Sequence, residues 1–325
     1  AGREPMTVRL GSRGSELARW QAEHVRRALA AAAPGLAVEI VILRTTGDRV
    51  RDVPLARIGG TGLFTKEVDD ALLAGSIDAA VHSLKDVPTR LPPGIVLGAI
   101  LERADPADAL IVAPGMPSTL ETLPAGARVG TSSLRRRAQL LAMRPDVTVV
   151  DLRGNVDTRL ARVAAGDYDA AILARAGLER LGRQDAIASV LGPPDWLPAV
   201  GQGALAIAIR ESDTELGAIL APLNHEPTAA AVAAERAFLR TVQGGCQIPV
   251  GALAAVGPDG TLRLDGFIAS LDGDAVVRGS RIGPAAEAEV IGTGLAEDLL
   301  QRGGASLLAA LRSPAGIAGP DPGEP

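Results

Sequence analysis

The sequence has little of several residue types, and each shortage narrows what the protein can be. One cysteine among 325 residues rules out a disulfide within the chain. Aromatic residues make up 2% of the chain and the formal net charge is −5. A nucleic-acid-binding surface is usually basic and carries aromatic side chains, so both values argue against this class of protein. No apolar run is long enough to span a membrane, and residues 1–9 lack the apolar core of a signal peptide. We therefore expect a cytoplasmic protein that contacts neither nucleic acid nor membrane.

Cysteine and histidine are also too sparse for two common kinds of site. A cysteine protease needs a histidine base beside its thiol, and the three histidines stand in no recognisable protease context. No group of cysteines and histidines has the spacing of metal ligands. The sequence therefore predicts no metal site.

Lysine is nearly absent, and one of the two lysines stands in a notable place. Of 33 basic residues only Lys66 and Lys85 are lysines, and an ammonium is a compact point charge that a guanidinium does not mimic. Asp86 follows Lys85 at the carboxyl end of a predicted strand, where α/β proteins place active groups. The pair is either a surface ion pair that ends a strand or part of an active site.

Strand and helix patterns alternate in two series, the second beginning near Ala107. This alternation predicts an α/β fold with mainly parallel sheets and helices on both faces. The apolar run 203–210 follows a proline-rich link and is expected to return to the first sheet. We predict a discontinuous domain 1 (residues 6–103 and 199–222), domain 2 (104–198), a small α+β domain 3 (223–312) and a disordered tail (313–325).

Hydroxyl and arginine side chains coincide where a strand of the second series meets a helix. Thr131, Ser132 and Ser133 precede Arg135 and Arg136. Free N–H groups and hydroxyls at such a helix start form a seat for an anion. Arginines in the first turn oppose the helix dipole, and an anion that bridges them would relieve this. The alternative is a solvated basic turn.

The same arrangement recurs at two further junctions. Arg153 and Arg159 flank the start of the next helix, and Arg13 and Ser15 follow the first strand. Each charged hydrogen bond contributes about 1.5–3 kcal/mol. Three such junctions suggest one common cleft for a ligand that has several carboxylates or phosphates.

The only thiol lies in a glycine-rich segment. Gly244 and Gly245 precede Cys246, which gives the backbone freedom and leaves open space around the sulfur. A lone cysteine is usually buried and inert. A cysteine in a glycine-flanked loop is less typical of a buried position. The thiol is therefore either a buried free cysteine or a site of chemistry.

Taken together, these motifs resemble the porphobilinogen deaminase family (hydroxymethylbilane synthases) from about Val8 to about Leu311. Many motifs in one order make the resemblance specific. In chain order the matching stretches are residues 12–18 (SRGSELA), 59–64 (GGTGLF), 80–89 (AVHSLKDVPT), 104–110 (ADPADAL), 129–140 (VGTSSLRRRAQL), 152–160 (LRGNVDTRL), 169–182 (DAAILARAGLERLG), 197–207 (LPAVGQGALAI), 223–228 (LNHEPT), 234–239 (AERAFL) and 244–254 (GGCQIPVGALA).

The resemblance implies an architecture, a cofactor and a set of roles. The fold would be two periplasmic-binding-protein-like lobes plus a small third domain, in a monomer. Cys246 would hold a dipyrromethane primer through a thioether, and Asp86 would be the catalytic carboxylate. Residues that bind the primer's acetate and propionate groups would be Ser83, Lys85, Thr131, Ser132, Ser133, Arg135 and Arg136. Residues that bind substrate and the growing chain would be Arg13, Ser15, Arg153, Arg159, Arg180 and Gln202. Arg236 matches a motif position near the cleft.

The resemblance also implies a reaction. Four porphobilinogen molecules would each lose ammonia and join the primer in turn, and water would then release hydroxymethylbilane. Asp86 would stabilise each cationic intermediate electrostatically. The loop Arg44–Gly62 would act as a lid with Phe64 closing over the site, and segments 101–107 and 198–202 would act as hinges.

Two departures and two alternatives qualify this prediction. Family members commonly have lysine at Arg57 and Thr61, so no carboxylate contact is assigned to that loop. The main alternative is a two-lobed anion-binding protein without catalysis, which would leave the glycine-flanked thiol unexplained. A thiol-dependent transferase of another kind is the second.

Overall fold

The structure is a computed structural model that describes residues 7–44, 65–242 and 248–312. Predictions for most of the lid, for Phe64, for Cys246 and for the tail lie outside these residues. The regular elements in chain order are β1 (Thr7–Arg13), α1 (Glu16–Ala32), β2 (Ala37–Leu43), α2 (Lys66–Leu73), β3 (Ala79–Ser83), β4 (Ile95–Ile100), β5 (Asp108–Val112), β6 (Arg128–Gly130), α3 (Leu134–Met143), β7 (Thr148–Val150), α4 (Val156–Ala164), β8 (Ala170–Ala174), α5 (Arg175–Arg180), β9 (Ser189–Leu191), β10 (Leu205–Arg210), α6 (Thr214–Leu220), α7 (Glu226–Thr241), β11 (Val250–Val256), β12 (Thr261–Ala269), β13 (Val276–Pro284), α8 (Ala288–Leu299) and α9 (Ala305–Arg312).

Lobe 1 is built on a five-stranded sheet in the order β2-β1-β3-β10-β4. Strands β1, β2 and β3 are parallel, whereas β10 runs antiparallel to β3 and β4. The Ser15 side chain caps α1 by accepting from the Ala18 N–H. Leu10, Val25 and Ile207 are fully buried and join sheet and helix in one core.

Lobe 2 repeats this plan with the order β7-β6-β8-β5-β9. Strands β6, β7 and β8 are parallel, and β5 runs antiparallel to β8 and β9. Ser133 and Asn155 cap the helices α3 and α4 through their side chains. The three-residue edge strand β9 was not predicted, because so short a run shows no periodicity.

Both five-stranded sheets are mainly parallel, as expected, but each contains one antiparallel strand. The first residue of β5, Asp108, pairs with Ala174 at the end of β8. The first residue of β10, Leu205, pairs with Ser83 at the end of β3. These two strands follow the segments that connect the lobes. Each therefore enters its sheet at the edge where the parallel strands end and runs away from it.

The C-terminal part combines one antiparallel sheet with two long helices. The sheet has the order β11-β12-β13, and α7 and α8 pack on it around the fully buried Phe238. The predicted boundaries of the three domains stay a prediction. Within the described residues, none of the helices is long and apolar enough to cross a membrane.

Candidate active site between the lobes

A cavity of about 100 Å³ lies between the two lobes, at the edge where the parallel strands end. It brings together residues that are up to 187 positions apart in the chain, from Leu17 to Ala204. The lining residues are Leu17, Gln21, Ser83, Lys85, Arg136, Val156, Arg159, Leu173, Ala174, Ala176, Gly177, Arg180, Gln202, Gly203 and Ala204. Six of them were predicted as site residues: Ser83, Lys85, Arg136, Arg159, Arg180 and Gln202.

The charge of the cavity wall is positive. Its described lining contains four cationic side chains and no carboxylate. Burial lowers the pKa of Lys85 to about 8, with the charge of Asp86 opposing this change and that of Arg136 adding to it. Burial together with the charges of Arg136 and Arg153 lowers the pKa of Arg159 to about 10. Such crowding of like charges favours an anionic ligand, which would relieve it.

Asp86 is held in a fixed turn beside this cavity. It ends a short 3₁₀ helix, Leu84–Asp86, that directly follows β3. The Leu84 N–H donates to the Ala204 carbonyl at 3.0 Å, and the Leu84 side chain is buried. On the other side, Arg236 of α7 donates to the carbonyls of Val87 at 3.1 Å and Pro88 at 2.7 Å. The turn is thus anchored from lobe 1 and from the C-terminal part.

Asp108 is the most important site residue that sequence reasoning missed. Its carboxylate is 0% exposed and accepts four hydrogen bonds, each 2.7–2.8 Å long, from side chains that lie far apart in the sequence. The donors are Arg135 Nη1, Arg136 Nη2, Trp196 Nε1 and Gln202 Nε2. Burial alone would raise the pKa of Asp108, but the two guanidiniums lower it well below its usual range.

The anion that bridges the two arginines is therefore part of the protein. The Arg135 side chain is buried, and its Nη1 also donates to the Leu197 carbonyl at 2.9 Å. Arg136 instead reaches the cavity wall while its Nη1 donates to the Ile172 carbonyl at 3.1 Å. One carboxylate shared by two guanidiniums leaves a net positive charge, and Arg136 presents it to the cavity.

Two buried polar atoms of these residues have no hydrogen-bond partner within the described part of the chain. They are Arg136 Nε and Gln202 Oε1, and both side chains are less than 10% exposed. Buried donors and acceptors are normally satisfied. Because both residues line the cavity, this unused donor and acceptor suit a polar ligand that offers both carboxylates and N–H groups.

The three hydroxyl residues before α3 shape the junction itself. Thr131 Oγ1 accepts from the Ser133 N–H at 3.2 Å, and Ser133 Oγ accepts from the Arg136 N–H at 3.3 Å. Ser132 Oγ contacts the Asp151 carboxylate and donates to the Leu152 carbonyl at 2.8 Å. None of the three is among the cavity-lining residues, and their predicted contacts to primer groups stay predictions.

Three further predicted residues lie outside the cavity lining. Ser15 Oγ is engaged as the cap of α1. Arg13 is the last residue of β1. It lies near His82, because its charge, together with burial, lowers the pKa of His82 to about 4. Arg153 Nε lies 3.7 Å from Asp151 Oδ2. Their predicted contacts to substrate and the growing chain stay predictions.

Gln21 is a second residue that the sequence analysis missed. It is 4% exposed on α1, lines the cavity and donates from Nε2 to Ser83 Oγ at 2.9 Å. It lies one helical turn from Leu17 and from Val25, on the apolar face. A polar residue within such a face was the available signal, because a buried amide requires a partner.

The segments predicted as hinges meet at another buried carboxylate. Glu235 of α7 is 0% exposed and pairs with Arg103 at 2.5 Å. It also accepts from the N–H groups of Gly201 at 2.8 Å and Ala254 at 2.9 Å. A single side chain thus ties both connecting segments to strand β11.

Comparisons with known proteins agree with this geometry. Residues 8–218 match the sequence model described as porphobilinogen deaminase, dipyromethane cofactor binding domain. Residues 229–301 match the model of the porphobilinogen deaminase C-terminal domain. The chain is 52% identical to a porphobilinogen deaminase of Moorella thermoacetica over 95% of this chain and 98% of the relative. It is 50% identical to that of Syntrophobacter fumaroxidans over 93% and 96%.

Solved structures of two-lobed binding proteins also align with the chain. The periplasmic aliphatic sulphonate binding protein of Escherichia coli is 17% identical and has a TM-score of 0.39. The alignment covers 74% of this chain and 71% of that protein. The two lobes of this chain are defined by the strand orders β2-β1-β3-β10-β4 and β7-β6-β8-β5-β9.

Proposed function

This chain belongs to the porphobilinogen deaminase family, and we propose which of its residues perform that family's reaction. It is a transferase of tetrapyrrole biosynthesis that uses a dipyrromethane cofactor. It condenses four porphobilinogen molecules with loss of ammonia and then releases hydroxymethylbilane. The observation that carries our assignment is the cation-walled cavity between the lobes, with Asp86 fixed beside it.

The residues present fit a primer of two pyrroles that carry acetate and propionate groups. The cavity wall supplies a surplus of positive charge from Lys85, Arg136, Arg159 and Arg180. Arg136 Nε and Gln202 Oε1 add a donor and an acceptor that have no partner within the described residues. Both kinds of group match a ligand whose edges are carboxylates and whose rings bear N–H.

We assign the covalent anchor to Cys246 and the carboxylate contacts to the three junctions. The bound primer would supply the pyrrole carbon to which the first unit is joined. Lys85, Ser83, Arg135, Arg136 and the hydroxyls of Thr131, Ser132 and Ser133 hold or shape the primer site. Residues that receive substrate and the lengthening chain are Arg13, Ser15, Arg153, Arg159, Arg180 and Gln202.

Asp86 balances the positive charge that develops when ammonia leaves porphobilinogen. Its carboxylate accepts a hydrogen bond from the substrate's pyrrole N–H. Two opposite charges about 4 Å apart interact by about 4 kcal/mol at an intermediate dielectric constant. Because the turn is anchored by Leu84 and Arg236, the carboxylate needs little reorganisation during the reaction.

Further assignments concern the whole molecule. We propose a cytoplasmic monomer, with the domain boundaries at residues 103/104, 198/199 and 222/223. The joint at Glu235 would let the lobes shift about the connecting segments while it keeps these segments attached to the C-terminal part. Phe64 and the preceding loop would close over the cavity.

The experiment that tests the role of Asp86 replaces it by alanine and follows porphobilinogen consumption. We expect turnover to fall at least about 1000-fold, since an electrostatic contribution of about 4 kcal/mol is removed. Asp298→Ala is the matched control, because Asp298 is exposed and paired only with Arg302 at 2.9 Å within α8 and the turn that follows. A rate for Asp86→Ala within tenfold of the control would contradict the assignment.

Intact mass of the folded protein tests the anchor separately. The wild-type mass should exceed the chain mass by two linked pyrroles, and Ehrlich's reagent should colour the protein. Cys246→Ala should lose both signals, whereas Asp86→Ala should keep them. An unmodified mass on fully active protein would refute the covalent primer.

A further inference from the structure

Arg180 crosses from lobe 2 to lobe 1 at the mouth of the cavity. It is the last residue of α5 and lines the cavity. Its Nη2 donates to the Gly203 carbonyl in the connecting segment at 2.7 Å. Its guanidinium carbon lies 5.7 Å from the ring centroid of Trp20 on α1. One side chain thus touches both lobes and the segment between them.

Trp20 is itself held in place by a neighbour on the same helix. The rings of Trp20 and His24 stack with centroids 5.2 Å apart and planes inclined by 7°. Burial and the charge of Arg180 lower the pKa of His24, so this imidazole is neutral at neutral pH and does not repel the guanidinium. The stack places a flat aromatic surface at the boundary between the lobes.

The described contacts of Arg180 do not neutralise its charge. Within the described residues it has no carboxylate at ion-pair distance, and its partners are a carbonyl and an aromatic ring. Burial lowers the pKa of Arg180, because the surrounding protein solvates the charged form less well than water does. A ring within about 6 Å attracts a guanidinium through its quadrupole and leaves the full positive charge available to a ligand. A carboxylate partner would instead compete with the ligand, as Asp108 does for Arg136.

We infer that Trp20 is a positioning residue, which holds Arg180 across the lobe boundary in the orientation that receives a carboxylate group of porphobilinogen. This inference rests on the proposed function, since it takes Arg180 to be a substrate contact. Leu17, one turn before Trp20, packs close to Gly177 of α5, so the two helices meet where the arginine crosses. The chemistry at issue is orientation of a cation, and no covalent step is involved.

Kinetics of four variants test the role. Trp20→Leu removes the aromatic face and keeps an apolar side chain, and we expect it to raise the KM for porphobilinogen about fivefold with kcat within about twofold. Trp20→Phe keeps an aromatic face and should restore the KM to within about twofold of wild type. In an Arg180→Leu background, Trp20→Leu should have no further effect. Arg183→Leu, which removes an exposed arginine paired with Asp157, should leave the KM unchanged.

Fluorescence tests the contact without relying on activity. The chain has two tryptophans, and Trp196 is 2% exposed in the core of lobe 2. Arg180→Leu should change the emission spectrum when Trp20 is present and leave it unchanged when Trp20 is phenylalanine. Identical wild-type and Arg180→Leu spectra would overturn the contact.

The outcomes separate the inference from the proposed function. If wild-type protein does not consume porphobilinogen, the proposed function fails, whatever the spectra show. If it does, equal KM values for Trp20→Leu and Trp20→Phe, or an undiminished Trp20→Leu effect in the Arg180→Leu background, would make Trp20 a merely structural residue and overturn the inference.

Discussion

The two lobes share one strand plan, but they place opposite kinds of residue at the same position of it. The antiparallel strand of lobe 2 begins with Asp108 beside Ala174, the last residue of β8. The antiparallel strand of lobe 1 begins with Leu205 beside Ser83, the last residue of β3. Both positions are fully buried or nearly so. The same backbone geometry therefore supports a charged joint in one lobe and an apolar joint in the other.

This difference indicates that the two lobes contribute different kinds of group to the cleft. In lobe 2, an internal carboxylate fixes two arginines at a helix start and leaves one net positive charge. In lobe 1, the strand end is packed with apolar side chains around Leu84 and Val87, and Lys85 and Asp86, which we propose for primer binding and catalysis, lie on the short turn Leu84–Asp86. Lobe 2 is therefore suited to binding anions, and we propose that lobe 1 presents the catalytic carboxylate.

Removing Asp108 should have the largest effect on the folded protein. Asp108→Ala leaves two buried guanidiniums without their shared carboxylate, and we expect a loss of about 3–5 kcal/mol in the free energy of unfolding. Chemical unfolding measures this, and Asp146→Ala, which breaks the more exposed pair with Arg144 at 2.7 Å, should cost less than about 1 kcal/mol.

A compensated variant sharpens the Asp108 prediction. Asp108→Leu combined with Arg135→Met and Arg136→Met removes all three charges at once, and much of the stability should return. It would make lobe 2 apolar at this joint, as lobe 1 is. If the triple variant were less stable than Asp108→Ala, charge compensation would not be the reason for the loss.

Arg236→Leu should have the next largest effect, and it acts on the lobe 1 side. It leaves the carbonyls of Val87 and Pro88 without their charged donor, so we expect a loss of about 2–3 kcal/mol in stability. The Asp86 turn loses an anchor, and kcat should fall about tenfold. Arg240→Leu, one turn further along α7 and paired with the exposed Glu289 at 3.2 Å, should change neither quantity appreciably. Equal effects of the two variants would refute a specific role for Arg236.

Lys85 should make activity and stability change in opposite directions with pH. Its pKa is lowered to about 8, so above pH 8 the folded protein loses this proton while the unfolded chain still holds it up to about pH 10.4. In that window the contribution of Lys85 to stability rises with pH. Loss of the proton removes a charge that we assign to the primer's carboxylates, so kcat/KM should fall about fivefold between pH 8 and 9.

The scarcity of lysine provides the control for the pH prediction. The other lysine, Lys66, is exposed and paired with Asp70, which raises its pKa, so Lys66→Met should preserve both trends. Lys85→Arg keeps a charge throughout and should abolish both. Primer-loaded enzyme is required, so that the thiol of Cys246 does not titrate in the same range. A kcat/KM independent of pH from 7 to about 9.5 would contradict a contact between Lys85 and the primer's carboxylates.

Local patterns predicted the fold well, because the information they need lies within a few residues. The alternation of strand and helix in two series was readable from neighbouring positions, and the structure contains both series. The arginines of the strand-to-helix junctions could likewise be recognised from the sequence.

What could not be predicted depends on contacts between distant positions. Asp108 gathers donors that lie 27, 28, 88 and 94 residues away, and no local pattern distinguishes it from a surface aspartate. Gln21 meets Ser83 across 62 residues. A ligand anion was expected between Arg135 and Arg136, but the carboxylate that bridges them is that of Asp108.

Ser132→Ala should have the smallest effect of these substitutions. It tests whether Ser132 fixes the positions of the two arginine-bearing junctions of lobe 2 relative to each other. Ser132 Oγ accepts from the Leu152 N–H at 3.2 Å and contacts Asp151, which joins the turn before α3 to the turn before α4. Loss of these bonds should cost about 1 kcal/mol in stability and raise KM about twofold, because Arg159, within α4, donates to the Gly154 carbonyl of the second turn. Thr122→Ala, which removes an exposed hydroxyl bonded to Thr119, should do neither. A stability change without any change in KM would mean that the link supports lobe 2 but does not position its arginines for the substrate.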